Sequence, residues 1–131
     1  MALLLDTHIW LWGLLEPHRL TEQVKQALAA ETTALRLSPI SLWETLMLAE
    51  RGRITLDRDP SDWLDKAMKA SPVMEAPITF DVAAASRNIA LDHQDPADRF
   101  IVATAKIFDL RLVTADLRLL RCQEIMVLPN H

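Results

Sequence analysis

The sequence is poor in the residues that would mark several common protein classes. There is one cysteine, Cys122, so no internal disulfide can form, and the first residues lack the basic, then apolar, then small pattern of an export signal. The expected compartment is a reducing cytoplasm. Purely apolar runs extend for only a few residues, far below the roughly 20 that a spanning helix needs, so no membrane association is expected. With two glycines and half of its residues hydrophobic, the chain cannot be a flexible linker or a disordered tail. A basic surplus is also missing. The formal net charge of −4 excludes coating of nucleic acid through bulk electrostatics, because that mode needs a net basic face, although it leaves a local site open. Tyrosine is absent, and the four tryptophans, Trp10, Trp12, Trp43 and Trp63, are read as core or interface side chains rather than base-stacking platforms.

What remains fits one domain, residues 1–131, large enough for a real core. Residues 2–5 form a short apolar run, read as a strand buried on both faces. A helix is predicted over 7–15 and broken at Glu16-Pro17-His18. A second covers 21–31, with Thr21 as cap and Val24, Ala27 and Leu28 on one face. Residues 34–38 read as a strand. Ser41 is then expected to open a helix that runs to about Arg51, where Gly52 stops it. Residues 53–56 read as extended, and Asp59-Pro60 starts another helix. After a weak strand at 74–76, an Ala-rich helix is expected from about Phe80 through Asp92. Helix 100–108, strand 111–114, short helix 116–121 and strand 125–128 complete the chain. Strands alternating with helices predict an α/β fold with a parallel sheet covered on both faces.

In such a sheet the functional crevice lies beyond the carboxyl ends of the strands, which singles out Asp6, Glu44, Asp98 and Asp116. Each acid also has a structural reading. Asp6 and Asp116 can cap the helices they precede, and Ser41-Leu42-Trp43-Glu44 matches a capping box in which Glu44 reaches back to Ser41. In His93-Gln94-Asp95-Pro96-Ala97-Asp98 the two readings separate. If Asp95 is the cap, Pro96 falls at the first helical position and Asp98 is available to another partner. Four acids converging on one crevice repel one another unless something positive holds them, and hard divalent cations prefer oxygen ligands. Zinc is not expected, since His8, His18, His93 and His131 show no paired ligand spacing. Carboxylate-held divalent metals suit phosphodiester hydrolysis.

The order Leu-Leu-Asp6-Thr7, then Pro39-Ile40-Ser41-Leu42-Trp43-Glu44, then Asp95-Pro96-Ala97-Asp98-Arg99-Phe100, then Leu112-Val113-Thr114-Ala115-Asp116 resembles PIN-domain ribonucleases, specifically VapC-type toxins of toxin-antitoxin pairs. Any one motif is weak, but four in this order span almost the whole chain. The resemblance implies a three-layer α/β/α sandwich around a central parallel sheet, and a magnesium- or manganese-dependent endoribonuclease. It implies Asp6, Glu44 and Asp98 as core metal-binding acids, with Asp116 a fourth. Thr7 and Thr114 match hydroxyl positions near such sites, or are helix caps. Arg99 matches the basic residue after the third acid and is expected in an ion pair with a neighbouring carboxylate, with contact to the scissile phosphate as the alternative. Arg51 and Arg53 follow the Glu44 helix and read as a solvated charged turn, with contact to an RNA backbone as the alternative. The implied partners are an RNA substrate, a VapB-type antitoxin and a second copy of the toxin.

A receiver-like domain or a D-x-D phosphatase would need a second acid where His8 stands, and both fail there. The remaining alternatives are a PIN fold that binds or regulates without cleavage, and a related structure-specific DNA nuclease.

Overall fold

Three apolar residues after Ala2 start the sheet. Strand β1 (Leu3–Leu5) is buried throughout, and its side chains alternate between two cores: Leu3 and Leu5 pack with Ile9, Trp10 and Trp63, while Leu4 packs with Ile101, Val102 and Leu112. Burying one such leucine contributes about 1.5–3 kcal/mol. The structure, a computed structural model, describes residues 2–30, 34–92 and 94–131. Strands β2 (Leu35–Leu37), β3 (Met74–Glu75), β4 (Arg111–Thr114) and β5 (Met126–Pro129) join β1 in an all-parallel sheet of order β3-β2-β1-β4-β5. The connections run outward from β1 on one side and then jump back to β4 on the other. The gap between the carboxyl ends of β1 and β4 is therefore the topological switch point, where open α/β sheets bind ligands.

Helices α1 (Thr7–Leu15), α2 (Glu22–Ala30), α3 (Pro39–Glu50) and α4 (Pro60–Ala70) supply apolar side chains to the first core. Helices α5 (Phe80–Ala85), α6 (Pro96–Ile107) and α7 (Leu117–Leu120) supply the second. The result is the predicted three-layer sandwich. A 3-10 turn at Pro17–Arg19 follows α1 where the sequence predicted a break. Val24, fully buried, faces the core on α2, and Thr21 Oγ1 accepts its N–H at 3.2 Å. The predicted last residue of that helix, Glu31, and the predicted role of His93 lie outside the described residues.

Three expectations need correction. Helix α3 begins before Ser41: Ser38 is its cap, accepting the Ile40 N–H at 3.1 Å, with Pro39 in the first turn. Its end is as expected, with Gly52 at φ +68°, a left-handed conformation that glycine adopts without a Cβ penalty. Residues 53–56, expected to be extended, bend at 53 and 54 and form no regular element. The Ala-rich helix α5 stops at Ala85 instead of about Asp92, because the backbone beyond it is bound from outside. Buried Arg99, 5% exposed, donates Nε–H to Ser86 O at 2.8 Å, Nη2–H to Ile89 O at 3.0 Å and Nη1–H to Leu91 O at 3.3 Å. Arg99 thus anchors the connection leading into α6.

Candidate active site

Asp6 follows β1 directly and N-caps α1, its Oδ1 accepting the Thr7 N–H at 2.9 Å. Its other oxygen, Oδ2, accepts the Thr114 hydroxyl proton at 2.6 Å across the gap between β1 and β4. Thr114 Oγ1 in turn accepts the Asp116 N–H at 3.0 Å, so one hydroxyl ties the first acid to the backbone of the last. Asp116 caps α7 through the Arg118 N–H at 2.8 Å, and the Arg118 guanidinium returns to its carboxylate at 3.1 and 3.3 Å.

A parallel arrangement holds Glu44. With α3 starting at Pro39, Glu44 lies beyond the first turn, and the expected capping box with Ser41 does not form. Glu44 Oε1 instead accepts the Thr7 hydroxyl proton at 2.6 Å. Because that hydroxyl has one proton, the 2.8 Å contact between the Thr7 and Ser41 hydroxyls must be donated by Ser41. Thr7, Ser41 and Thr114 are all buried, and neither threonine caps a helix. Both hydroxyls orient acids.

In the stretch that raised two readings, Asp95 is the cap of α6. Its Oδ1 accepts the Ala97 N–H at 3.0 Å and, at a long 3.5 Å, that of Asp98. Asp98, half-buried in the first turn, faces a crevice of about 350 Å³ whose walls also include Asp6, Glu44, Asp95 and Asp116. All four predicted acids therefore meet in one place. His8, Trp12 and Arg118 complete its rim. The sequence reading missed His8 and Arg118 as rim residues. Their signal is proximity alone, each lying two positions after a site acid.

The crowding shows in the electrostatics. Burial first, and then the charges of Asp6, Asp95, Asp116 and Glu44, push the Asp98 carboxyl up to about 8. Burial also raises Asp6 and Glu44, against the opposing bonds from Thr114 and Thr7. A set of hard oxygen donors with surplus negative charge suits a divalent cation such as magnesium or manganese. Among the described residues, no group of three or more His, Cys, Asp or Glu side chains is already placed to hold a metal ion. The charge of Asp6, Glu44 and Asp116 is dispersed onto Thr114, Thr7 and Arg118 instead. In its chemistry the donor set fits the cation.

Comparison with known proteins agrees with this architecture. The PIN domain family matches residues 3–124. Ribonuclease VapC22 of Mycobacterium tuberculosis is 40% identical over 121 residues, covering 90% of this chain and 89% of its own. Among solved structures, a chain of the DNA-bound VapBC complex from Salmonella typhimurium superposes with a TM-score of 0.76 at 19% identity, over 100% of this chain and 99% of that one. A chain of VapBC2 from Rickettsia felis, bound to a promoter DNA fragment, gives 0.73 at 15% identity over 98% of each.

Proposed function

The chain belongs to the PIN-domain family, and from that premise we propose that it is a metal-dependent endoribonuclease, the toxin of a toxin-antitoxin pair. The convergence of Asp6, Glu44, Asp98 and Asp116 on one crevice at the β1/β4 switch point carries the reading. We assign these four acids as the residues that hold magnesium or manganese. When bound there, the cation supplies a Lewis acid that lowers the pKa of a water and neutralises phosphate oxygens.

The chain's own groups do the rest. Thr114 and Thr7 hold Asp6 and Glu44 by hydrogen bonds, which limits the freedom of both acids before a cation binds. Asp98 must surrender its proton before it can act as a ligand, and its elevated pKa makes that step pH-dependent. Arg118 at the rim carries positive charge where the phosphate of an RNA strand enters. In the hydrolysis, water adds to phosphorus and one bridging P–O bond breaks.

As partners we propose, besides RNA, a VapB-type antitoxin, since the superposing chains come from VapBC complexes, and a second copy of this chain. No described helix is long and apolar enough to cross a membrane. The proposed compartment is the reducing cytoplasm, which suits a buried, unpaired Cys122.

The test is cleavage of total RNA by purified protein with Mn²⁺ or Mg²⁺. Cutting is expected with wild type and metal, and is expected to vanish with EDTA or with Asp98→Asn. Intact RNA under all conditions would overturn the enzyme reading in favour of a binding module. Sequencing RNA ends after brief induction identifies the target.

A further inference from the structure

A cleft of about 620 Å³ adjoins the carboxylate crevice and shares His8 and Trp12 with it. Its walls are the outer side of α1, the Pro17–Arg19 turn and the segment after α3 that carries Arg53. The sequence reading assigned the tryptophans to core or interface, and Trp10 and Trp63 obey it, meeting edge to face at 6.0 Å in the first core. Trp12 differs. It is half-buried, the Arg19 guanidinium carbon lies 4.1 Å from its ring centroid, and the His8 ring sits tilted at 5.9 Å.

This aromatic and cationic stack is held in place from the far end of the chain. Buried Asn130 donates its Nδ2–H to Arg19 O at 3.0 Å and accepts the Thr21 N–H at 2.8 Å, while its own N–H is fixed to Thr114 O at 2.8 Å. Thr114 also orients Asp6, so the turn that carries Arg19 is registered against the acid site. The Arg19–Glu16 contact at 3.1 Å is a solvent-exposed ion pair of little strength.

We propose that this cleft is the recognition subsite for an unpaired nucleotide adjoining the scissile phosphate, with the base against the Trp12–Arg19 stack and the backbone phosphate at Arg53. The proposal rests on the ribonuclease reading and deepens it. An acid-lined crevice repels a polyanion on both sides of the bond it cuts, so the strand needs cationic purchase alongside. Unpaired bases stack on aromatic rings and on guanidinium planes alike. The single strand follows because only an unpaired base can enter a cleft of this size.

Fluorescence anisotropy of a labelled single-stranded oligoribonucleotide, titrated with the intact protein in EDTA so that nothing is cut, tests it. Arg19→Ala and Arg53→Ala are each expected to weaken binding about 10-fold, and Arg53→Ala, which loses the phosphate contact, to lower the salt slope by about 1. Arg58→Ala, an exposed arginine outside the cleft, should stay within about 2-fold as an ordinary surface substitution. Trp12→Ala should weaken binding and Trp12→Phe, which keeps a stacking face, should retain most of it, with thermal melts confirming that both are folded. In cleavage assays with Mn²⁺ the two arginine variants should raise KM and spare kcat. If they bind and cleave like wild type, the subsite is wrong while the ribonuclease stands. If wild type neither binds nor cleaves RNA, the ribonuclease reading falls and the subsite with it. If RNA binding is unchanged but a co-expressed partner protein is lost, the cleft is a protein-docking face and the proposal is overturned.

Discussion

Helix α6 carries an acid near one end and a base near the other, and the two ends treat charge in opposite ways. At its start, Asp98 sits among four other acids and its carboxyl is pushed up to about 8. At its end, Lys106 donates to Glu124, whose carboxyl is held below its usual range by that bond and by the Ala90 N–H. The helix dipole favours an anion at the start and a cation at the end, each by about 0.3–1 kcal/mol. The dipole therefore works to keep Asp98 ionised and is overruled by burial and crowding. Where charge serves the fold, this chain matches it. At the crevice end carboxylates crowd together, the surplus that the proposed metal would offset.

Removing that surplus should give the largest effect. Asp98→Asn is expected to lower metal-dependent RNA cleavage on the order of 10³-fold, because a ligand of the proposed site is gone. The same change should stabilise the metal-free protein at neutral pH by about 1–3 kcal/mol, since it removes a carboxylate that folding forces among others. The sign follows from linkage. The folded pKa of Asp98 lies above its unfolded value, so between about pH 4 and pH 8 the native state holds a proton that the unfolded state has lost. Metal-free stability should fall as pH rises through that window and level off above it. Urea melts of wild type and Asp98→Asn across pH 4–9 check this: the slope should shrink in the variant, Asp6 and Glu44 supplying what remains, and an unchanged slope would assign the titration elsewhere.

Thr114→Val comes next. It keeps the volume and removes the hydroxyl that joins Asp6 to the Asp116 backbone. Metal affinity, read by calorimetric titration with Mn²⁺, should drop about 10–100-fold, the usual cost of losing an outer-shell partner. Unchanged affinity would mean that Thr114 serves the fold alone, as charge does at the other end of α6.

How far these regions could be read in the sequence depended on whether the deciding contact was local. Strands β1 and β4 were legible because each is a short apolar run between polar breaks, and Asp95-Pro96 announced α6 by its cap and first turn. The same signal stands in Asp59-Pro60 and in Ser38-Pro39, yet the latter was passed over for the capping-box match three residues later. The mismatch mattered, because the true start of α3 leaves Glu44 to Thr7, 37 positions away. Helix α5 was drawn too long because alanine content says nothing of Arg99, which takes the Ser86, Ile89 and Leu91 carbonyls from another element. The four acids could be named from their places after strands. Their partners could not, since Thr114 reaches Asp6 across 108 positions.

Two smaller substitutions sharpen the contrast along α6. Asp95→Ala removes the acceptor for the Ala97 N–H and should destabilise by about 1 kcal/mol, partly offset because one charge also leaves the acid crevice. Glu124→Gln keeps a side-chain carbonyl for the Ala90 N–H and removes only the charge opposite Lys106, so it isolates the ion pair. Lys106 is exposed and Glu124 half-buried, and a pair in such contact with water is worth about 0.2–1 kcal/mol at most, diminishing in salt. Chemical melts at low and high ionic strength measure both. A loss at Glu124 that exceeded the loss at Asp95 and persisted in salt would mean that the matched end of the helix is the more tightly specified one, and that charge balance there is a condition of folding rather than an economy of it.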